Sequence, residues 1–486
     1  MTEYVNLNFA LEDVRNQSAS SGRVGPRLLV LGPPNAGKTS LVKILTAYAI
    51  RLGEQPVLAN LDPEEGLLSV PGTLTAAAFK TLLDVEEGWG SSPMSGPSPT
   101  PVKLPLVYGY GVRDPTMDEA SSNYYKSVIS RLALAVTGRQ NEDALARKSG
   151  LLVDTSGSLA NTTKSTATDI IQHIVSEFAV SHVLTLGSER LYSDVQRRFD
   201  GKPVASISSF TAGDGGSAPN NQEKITVFKA SKSGGCVDRD EAFMRGYRAA
   251  QIRAYFLGNP HLSNGTALSP RQQSVDFSQL AIYRLLVGSE VSINGGAGGP
   301  SAGSAFNAPI DLFRPGGQED EGDDEGSGVA AAAAGPNRSY GPSLTNDPLN
   351  NLAHILASTS NANAGNARSG NSKATASTAK PSDAAHLLSR LPPTSPPPPS
   401  LNSHILYVMN ADAEPPRDTA AIAAQQQTAK HHHDILTSPV LGFLYVTEVD
   451  EARRSISLLS PVSGRLPVSR ALVWSRGWPE EVVGIV

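Results

Sequence analysis

Eight consecutive residues, Gly32-Pro33-Pro34-Asn35-Ala36-Gly37-Lys38-Thr39, satisfy the pattern G-x-x-x-x-G-K-[ST] at every required position. The two glycines let backbone N–H groups turn inward around phosphate, and the positive end of a following helix adds to the attraction. Lys38 is placed to reach the β- and γ-phosphates, Thr39 to ligate Mg²⁺, and Asn35, Ala36 and Ser40 line the same turn. An apolar strand over 27–31 precedes the motif and a helix over 38–52 follows it, which is the context the chemistry needs. Two carboxylates complete a candidate metal site with Thr39: Asp154, ending LLVD, and Asp62, ending VLANLD. In a doubly wound sheet both lie at the carboxyl ends of strands beside the loop, although either can equally cap a loop after its strand. No N-K-x-D-like element for guanine follows the strands, which weighs slightly against GTP. The loop by itself leaves three uses open: transferring a phosphoryl group, hydrolysing nucleotide to drive a movement, or holding nucleotide as part of a scaffold.

The elements that must position these residues alternate in character. Strands are expected at 56–61, 151–153, 183–186 and 203–207, and helices at 167–179, 189–199 and 239–256, with Leu41, Leu45, Tyr48 and Leu52 on one face of the helix after the loop. Strands alternating with helices imply a mostly parallel sheet covered on both faces. The segments 91–102 and 211–222 read as Pro/Ser- and Gly-rich loop insertions. Beyond residue 270 the chain becomes β-prone at 275–287 and 440–474, separated by a biased tract with the acidic run QEDEGDDEGSG, an alanine run and PPTSPPPPS. Such composition buries too little apolar surface to offset chain entropy, so disorder is expected there, with His431–His433 as solvated linker and 404–410 as a stray strand of the C-terminal domain. The resulting domain scheme is a remnant over 1–25, a P-loop nucleotide-binding domain over 26–260, and a β-rich domain over 270–486 with disordered insertions at about 294–402 and 411–436.

Bulk properties bound the function. A chain of 486 residues holds two or three domains, and a net charge of −5 gives no overall basic character for nucleic-acid binding. One cysteine, Cys236, excludes an internal disulfide framework. The polar, acidic N-terminus lacks the pattern of a secretory signal, and the most apolar window, 170–186, is broken by Gln172, His173, Glu177, Ser181 and His182, so no membrane span is expected.

Several segments then coincide in order: YVNLNFALEDVR, PRLLVLGPPNAGKTSL, YAIRLGEQPVLANLDPEEGLLSVPGT, LGSERLY, KASKSGGCVDRD and LGFLYVTEVD. Together they resemble the Clp-type subunit of the mRNA cleavage and polyadenylation machinery, in the polynucleotide 5′-hydroxyl kinase-like family, and more closely its fungal members than the ribosomal-RNA-processing kinases of the same superfamily. The resemblance implies a small N-terminal β domain, a central P-loop domain and a C-terminal β domain. It also implies a nuclear protein whose partners are subunits of cleavage factor IA, above all the one that binds the RNA polymerase II C-terminal domain, with RNA contacted weakly or indirectly. The chain begins about thirty residues before the loop, leaving no room for the N-terminal β domain, and a truncated sequence is the expected reason.

Active relatives carry D-x-G-Q where this chain has Asp62-Pro63-Glu64-Glu65, and a tryptophan after T-x-G where it has Ser158. The extra negative charge repels RNA phosphate, and serine offers no face for stacking a base. Of the lid arginines implied by the family, Arg239 and Arg248 are present, while Met244 takes the place of a third and Arg245 lies next door. The expectation is therefore an ATP-binding assembly subunit without kinase activity. The alternative is an active RNA 5′-hydroxyl kinase using Lys38, Asp62, Arg239 and Arg248.

Overall fold

The computed structural model describes residues 2–21, 23–80, 105–205, 223–258, 268–286, 387–414, 421–461, 464–475 and 477–485. In chain order the elements of the first half are α1 (Thr2–Ser21), β1 (Arg27–Leu31), α2 (Lys38–Arg51), β2 (Val57–Leu61), β3 (Thr73–Ala78), β4 (Leu106–Gly109), α3 (Glu119–Glu142), α4 (Ala144–Ser149), β5 (Leu151–Thr155), α5 (Ser165–Glu177), β6 (His182–Leu186), α6 (Glu189–Phe199), β7 (Thr226–Ala230) and α7 (Glu241–Leu257). The second half adds β8 (Arg271–Asp276), β9 (Ala281–Leu285), β10 (Leu388–Arg390), β11 (Ile405–Asp412), α8 (Ala421–Leu436), β12 (Val440–Asp450), β13 (Ser455–Ser460) and β14 (Arg470–Ser475).

The first sheet has the order β4-β3-β2-β5-β1-β6-β7, with β2, β5, β1, β6 and β7 parallel and the β3/β4 pair antiparallel at one edge. Strands β1, β2 and β5 are buried along their whole length, as apolar runs covered by helices on both faces must be. The second sheet runs β10-β9-β14-β11-β12-β13-β8, antiparallel except where β14 meets β9. One apolar cluster passes from Leu29 and Val153 of the first sheet through Tyr108, Tyr255 and Tyr407 to Val473 of the second. The two sheets therefore share a core. Glycines permit the close approach: a Cβ on Gly72, whose φ is +86°, stands 2.5 Å from the Tyr407 hydroxyl and 3.1 Å from Pro479.

Several expectations need correction or detail. The edge strand of the first sheet is β7 and not 203–207: Pro203 makes only an isolated bridge to Lys224, and 206–207 lie outside the described residues, as do the loop segments 91–102 and 211–222. The N-terminal remnant is a helix, α1, whose Tyr4 and Leu11 bury against Leu41 and Leu45 of α2. The insertion assigned to 411–436 contains the end of β11 and all of α8; alanine, glutamine and lysine favour helix, and Ile435 and Leu436 anchor it in the core. His431 is buried there, edge-on to Tyr283 at 6.2 Å, and is no solvated linker. The end of the 294–402 tract is likewise ordered through β10 and a 3-10 turn at Pro399–Leu401 with Leu401 buried, while 294–386 lies outside the described residues. On α2 the buried face holds Leu41, Val42, Leu45, Thr46, Ala49 and Ile50, and Leu52 is exposed beyond the helix end.

Candidate nucleotide site

Strand β1 delivers the chain into the loop at its carboxyl end. There Val30 is in register with Asp154 and Leu31 with Thr185, so the loop emerges between β5 and β6. The turn uses left-handed backbone at Asn35 (φ 56°) and Gly37 (φ 89°), and Gly37 caps α2 with no side chain on its first-turn amides. A Cβ on Gly32 would stand 2.8 Å from the Leu186 carbonyl, so only glycine fits the entry to the cradle. Lys38 is buried and donates to the Pro33 carbonyl at 3.1 Å, curling back over the loop. Ala36 is buried in the loop, and Ser40 extends the first turn of α2.

Asp62 and Asp154 both stand within electrostatic reach of Lys38 and Glu65. Thr39 Oγ1 donates to Asp154 Oδ2 at 2.6 Å, and Thr155 Oγ1 ties β5 to the Val30 carbonyl at 2.7 Å. Asn60 organises the turn after β2, accepting from the Asp62 N–H and donating to the Glu65 carbonyl at 3.2 Å, while Asp62 Oδ1 accepts from the Glu64 N–H at 2.9 Å. Burial pushes Asp62 up to about 7 and Asp154 up to about 6; Lys38 pulls both down, and Glu65 pushes both further up. An anionic cradle of this kind, with a hydroxyl on a buried carboxylate and an ammonium over a glycine turn, fits a nucleotide phosphate carrying a divalent cation.

The arginines that the resemblance implied for a lid are present but engaged. Arg239 donates to Glu65 and reaches Asn35 Oδ1 at 3.4 Å. Arg248, with a side chain only 2% exposed, donates to Glu241 at 2.6 Å and Glu480 at 3.3 Å and lies 3.8 Å from Glu64. Arg245 pairs with Glu480 at 3.2 Å on an exposed face, and Met244 is buried in α7. Ser158 is drawn into a small turn capped by Ser156. Four further residues join the site, of which only Cys236 stands in a segment singled out in the sequence. Arg113 bridges Glu64 and Glu241, Glu480 and Trp478 reach in from the C-terminal sheet, and Cys236 lies on the loop with its thiol 3.5 Å from the Ala36 carbonyl. All are more than thirty residues from the loop, and only folding brings them together.

Two family matches cover this architecture: the P-loop region of mRNA cleavage and polyadenylation factor CLP1 over residues 32–212, and pre-mRNA cleavage complex II protein Clp1 over 348–480. The mRNA cleavage and polyadenylation factor CLP1 of Coccidioides immitis is 42% identical over 504 residues, spanning all of this chain and 79% of the relative. The chain belongs to the Clp1 family. Its counterpart in Aspergillus oryzae is likewise 42% identical, over all of this chain and 78% of the relative. Among solved structures, a Clp1p–Pcf11p complex superposes with a TM-score of 0.59 at 24% identity, covering 97% of this chain and 78% of that one. A second structure of the Pcf11p–Clp1p interface gives 0.61 at 23% identity. These two establish that the Clp1 fold, P-loop domain and C-terminal sheet together, is the fold seen here.

Proposed function

We propose that this Clp1-family chain is the ATP–Mg²⁺-binding subunit of a nuclear pre-mRNA cleavage and polyadenylation complex, that it acts in assembly, and that it does not transfer phosphoryl groups. Thr39, Asp62 and Asp154 hold the cation, Lys38 holds the β- and γ-phosphates, and Gly32, Asn35, Ala36, Gly37 and Ser40 form the cradle. One observation carries the loss of transfer chemistry. Glu64 and Glu65, which stand where active relatives carry glycine and glutamine, engage Arg113, Arg239 and Arg248 in ion pairs. Charge needed to neutralise a departing phosphoryl group is already neutralised by the chain itself. A nucleotide held in this way stabilises the fold by mass action and fixes the loops on which a partner docks. The named solved complexes of Clp1p with Pcf11p, and the chain's family, support a cleavage factor IA subunit as that partner.

The kinase reading retains one favourable feature: buried Asp62, at about 7, is suited to accept a proton from a 5′-hydroxyl. Incubation of the purified chain with 5′-hydroxyl RNA and γ-labelled ATP separates the two readings. No labelled RNA is expected; robust labelling that disappears in Lys38→Ala establishes the kinase. In parallel, Lys38→Ala with Thr39→Ala is expected to weaken capture of the partner subunit, and undiminished capture removes the link between nucleotide and assembly.

A further inference from the structure

The turn that carries Asp62 is not held by the P-loop domain alone. The Pro63 carbonyl, next to Asp62 in the chain, accepts two hydrogen bonds: one from the Gly72 N–H at 2.9 Å, closing the turn, and one from the indole Nε1 of Trp478 at 2.9 Å. Trp478 lies beyond the last strand of the C-terminal sheet and is 3% exposed. Its ring is covered by two arginines of the nucleotide side, Arg248 at 4.7 Å and Arg113 at 5.2 Å from the ring centroid. Both arginines also engage Glu64, the residue after Pro63, and Glu480, two residues past Trp478, pairs with Arg245 and Arg248. Arg248 is thereby fixed by the indole on one side and by carboxylates from three segments around it, while its Nε has no hydrogen-bond acceptor among the described residues. A side chain buried to this degree with spare donors is sensitive to any movement of the acids beside it.

We infer that Trp478 is a positioning residue for the nucleotide site: through Pro63 and the Arg113–Arg248 pair it sets the Asp62 turn, and occupancy of the phosphate loop is transmitted by the same contacts to the C-terminal sheet. Binding that pulls Asp62 toward a cation moves the Pro63 carbonyl, which the indole N–H must follow or lose. Because coupling is reciprocal, whatever alters Trp478 alters nucleotide affinity although it touches no nucleotide. A tryptophan there merely filling the interface predicts a change in stability only.

The inference rests on nucleotide binding by the loop, and the experiment keeps the two apart. Hydrogen exchange of the full wild-type chain is measured with and without ATP–Mg²⁺, with Lys38→Ala as control. Exchange over 477–485 is expected to slow about threefold or more on ATP addition in the wild type and to be unchanged in the control. Calorimetric titration of Trp478→Phe, which keeps an aromatic face for the arginines and loses the N–H donor, is expected to show ATP affinity reduced by about 3- to 10-fold, the range of one buried hydrogen bond. Wild-type chain that binds ATP with no slowing over 477–485 overturns the coupling, as does a folded Trp478→Phe whose affinity stays within about twofold. A wild type that binds no nucleotide overturns the binding reading as well. Should Trp478→Phe fail to fold, the wild-type exchange measurement still decides.

Discussion

Asp62 and Asp154 are set by burial: both are shut away from water, and their acidities rise to about 7 and about 6 from 3.8. Below about pH 4 each carries its proton in both the folded and the unfolded chain and adds no pH dependence. Between pH 4 and 7 the unfolded chain has released these protons while the folded chain retains them. The folded state therefore binds more protons, and stability of the ligand-free chain falls as pH rises through this window. For Asp154 the full penalty above pH 7 is about 3 kcal/mol, taking 1.36 kcal/mol per unit. Asp154→Asn keeps an acceptor for Thr39 and removes the titration, so the ligand-free variant is expected to be more stable at pH 8 and to lose part of the slope between pH 4 and 7. Urea unfolding across that range checks it, and an unchanged slope refutes it. The same variant should bind ATP–Mg²⁺ more weakly, because neutral asparagine is a poor ligand for a hard cation. At this scale the sequence was informative wherever chemistry is local: residues 32–40 are contiguous, and Asp62 and Asp154 each end an apolar run. What it did not disclose was the state of the arginines. Arg239 matched a lid position, but that Glu65 engages it depends on a turn organised by Asn60, far away in the sequence.

Among the elements, α1 shows why the N-terminal segment resists reading. Its apolar positions are sparse, with Tyr4 and Leu11 buried and Phe9 exposed, so no clear face marks it as a helix of the core. Its anchors are polar and distant. Glu3 accepts from the Ser231 N–H at 2.9 Å and its hydroxyl at 3.1 Å, Tyr4 donates to the Ser231 carbonyl, and Arg15 donates to the Ser149 carbonyl at 3.0 Å. Ser231 is where β7 ends and the segment carrying Cys236 and Arg239 begins, so α1 holds the start of that segment. Glu3→Ala removes two acceptors from that joint. Exchange at 231–240 is expected to quicken about three- to tenfold with only a small loss of global stability, since the carboxylate is solvent-exposed. Unaltered exchange there means that α1 is packing alone. Similar logic explains the misplaced edge strand: in β7 only Val227 is buried, a weaker pattern than the continuous apolar runs of β1, β2 and β5. In α8, by contrast, compositional bias hid an ordinary helix, because alanine and glutamine serve both linkers and helices.

At the scale of the whole molecule, the question is whether two sheets with separate sequence signatures behave as separate bodies. Periodicity divides them near residue 270, and it has no way to report that the Phe443 N–H of β12 donates to the Tyr255 hydroxyl of α7 at 3.2 Å, or that Ser475 Oγ donates to the Gly111 carbonyl. Tyr255 and Phe443 meet edge to face at 5.2 Å, and Tyr407 meets Phe443 at 5.3 Å, in the cluster that both sheets share. Pulling the sheets apart exposes these rings together with buried backbone, a cost that neither sheet recovers alone. Heating should therefore give one calorimetric transition for the described core, in contrast to the two expected of beads on a linker. ATP–Mg²⁺ at about 100 times its dissociation constant adds about 2.7 kcal/mol to the folded state. In a chain of this size that moves the midpoint of the whole transition upward by about 3–5 °C, and Lys38→Ala should abolish the shift. The discriminating result is a scan with two peaks of which ATP moves only one, because a nucleotide that stabilises its own sheet and leaves the other melting unchanged has no route to the C-terminal surface.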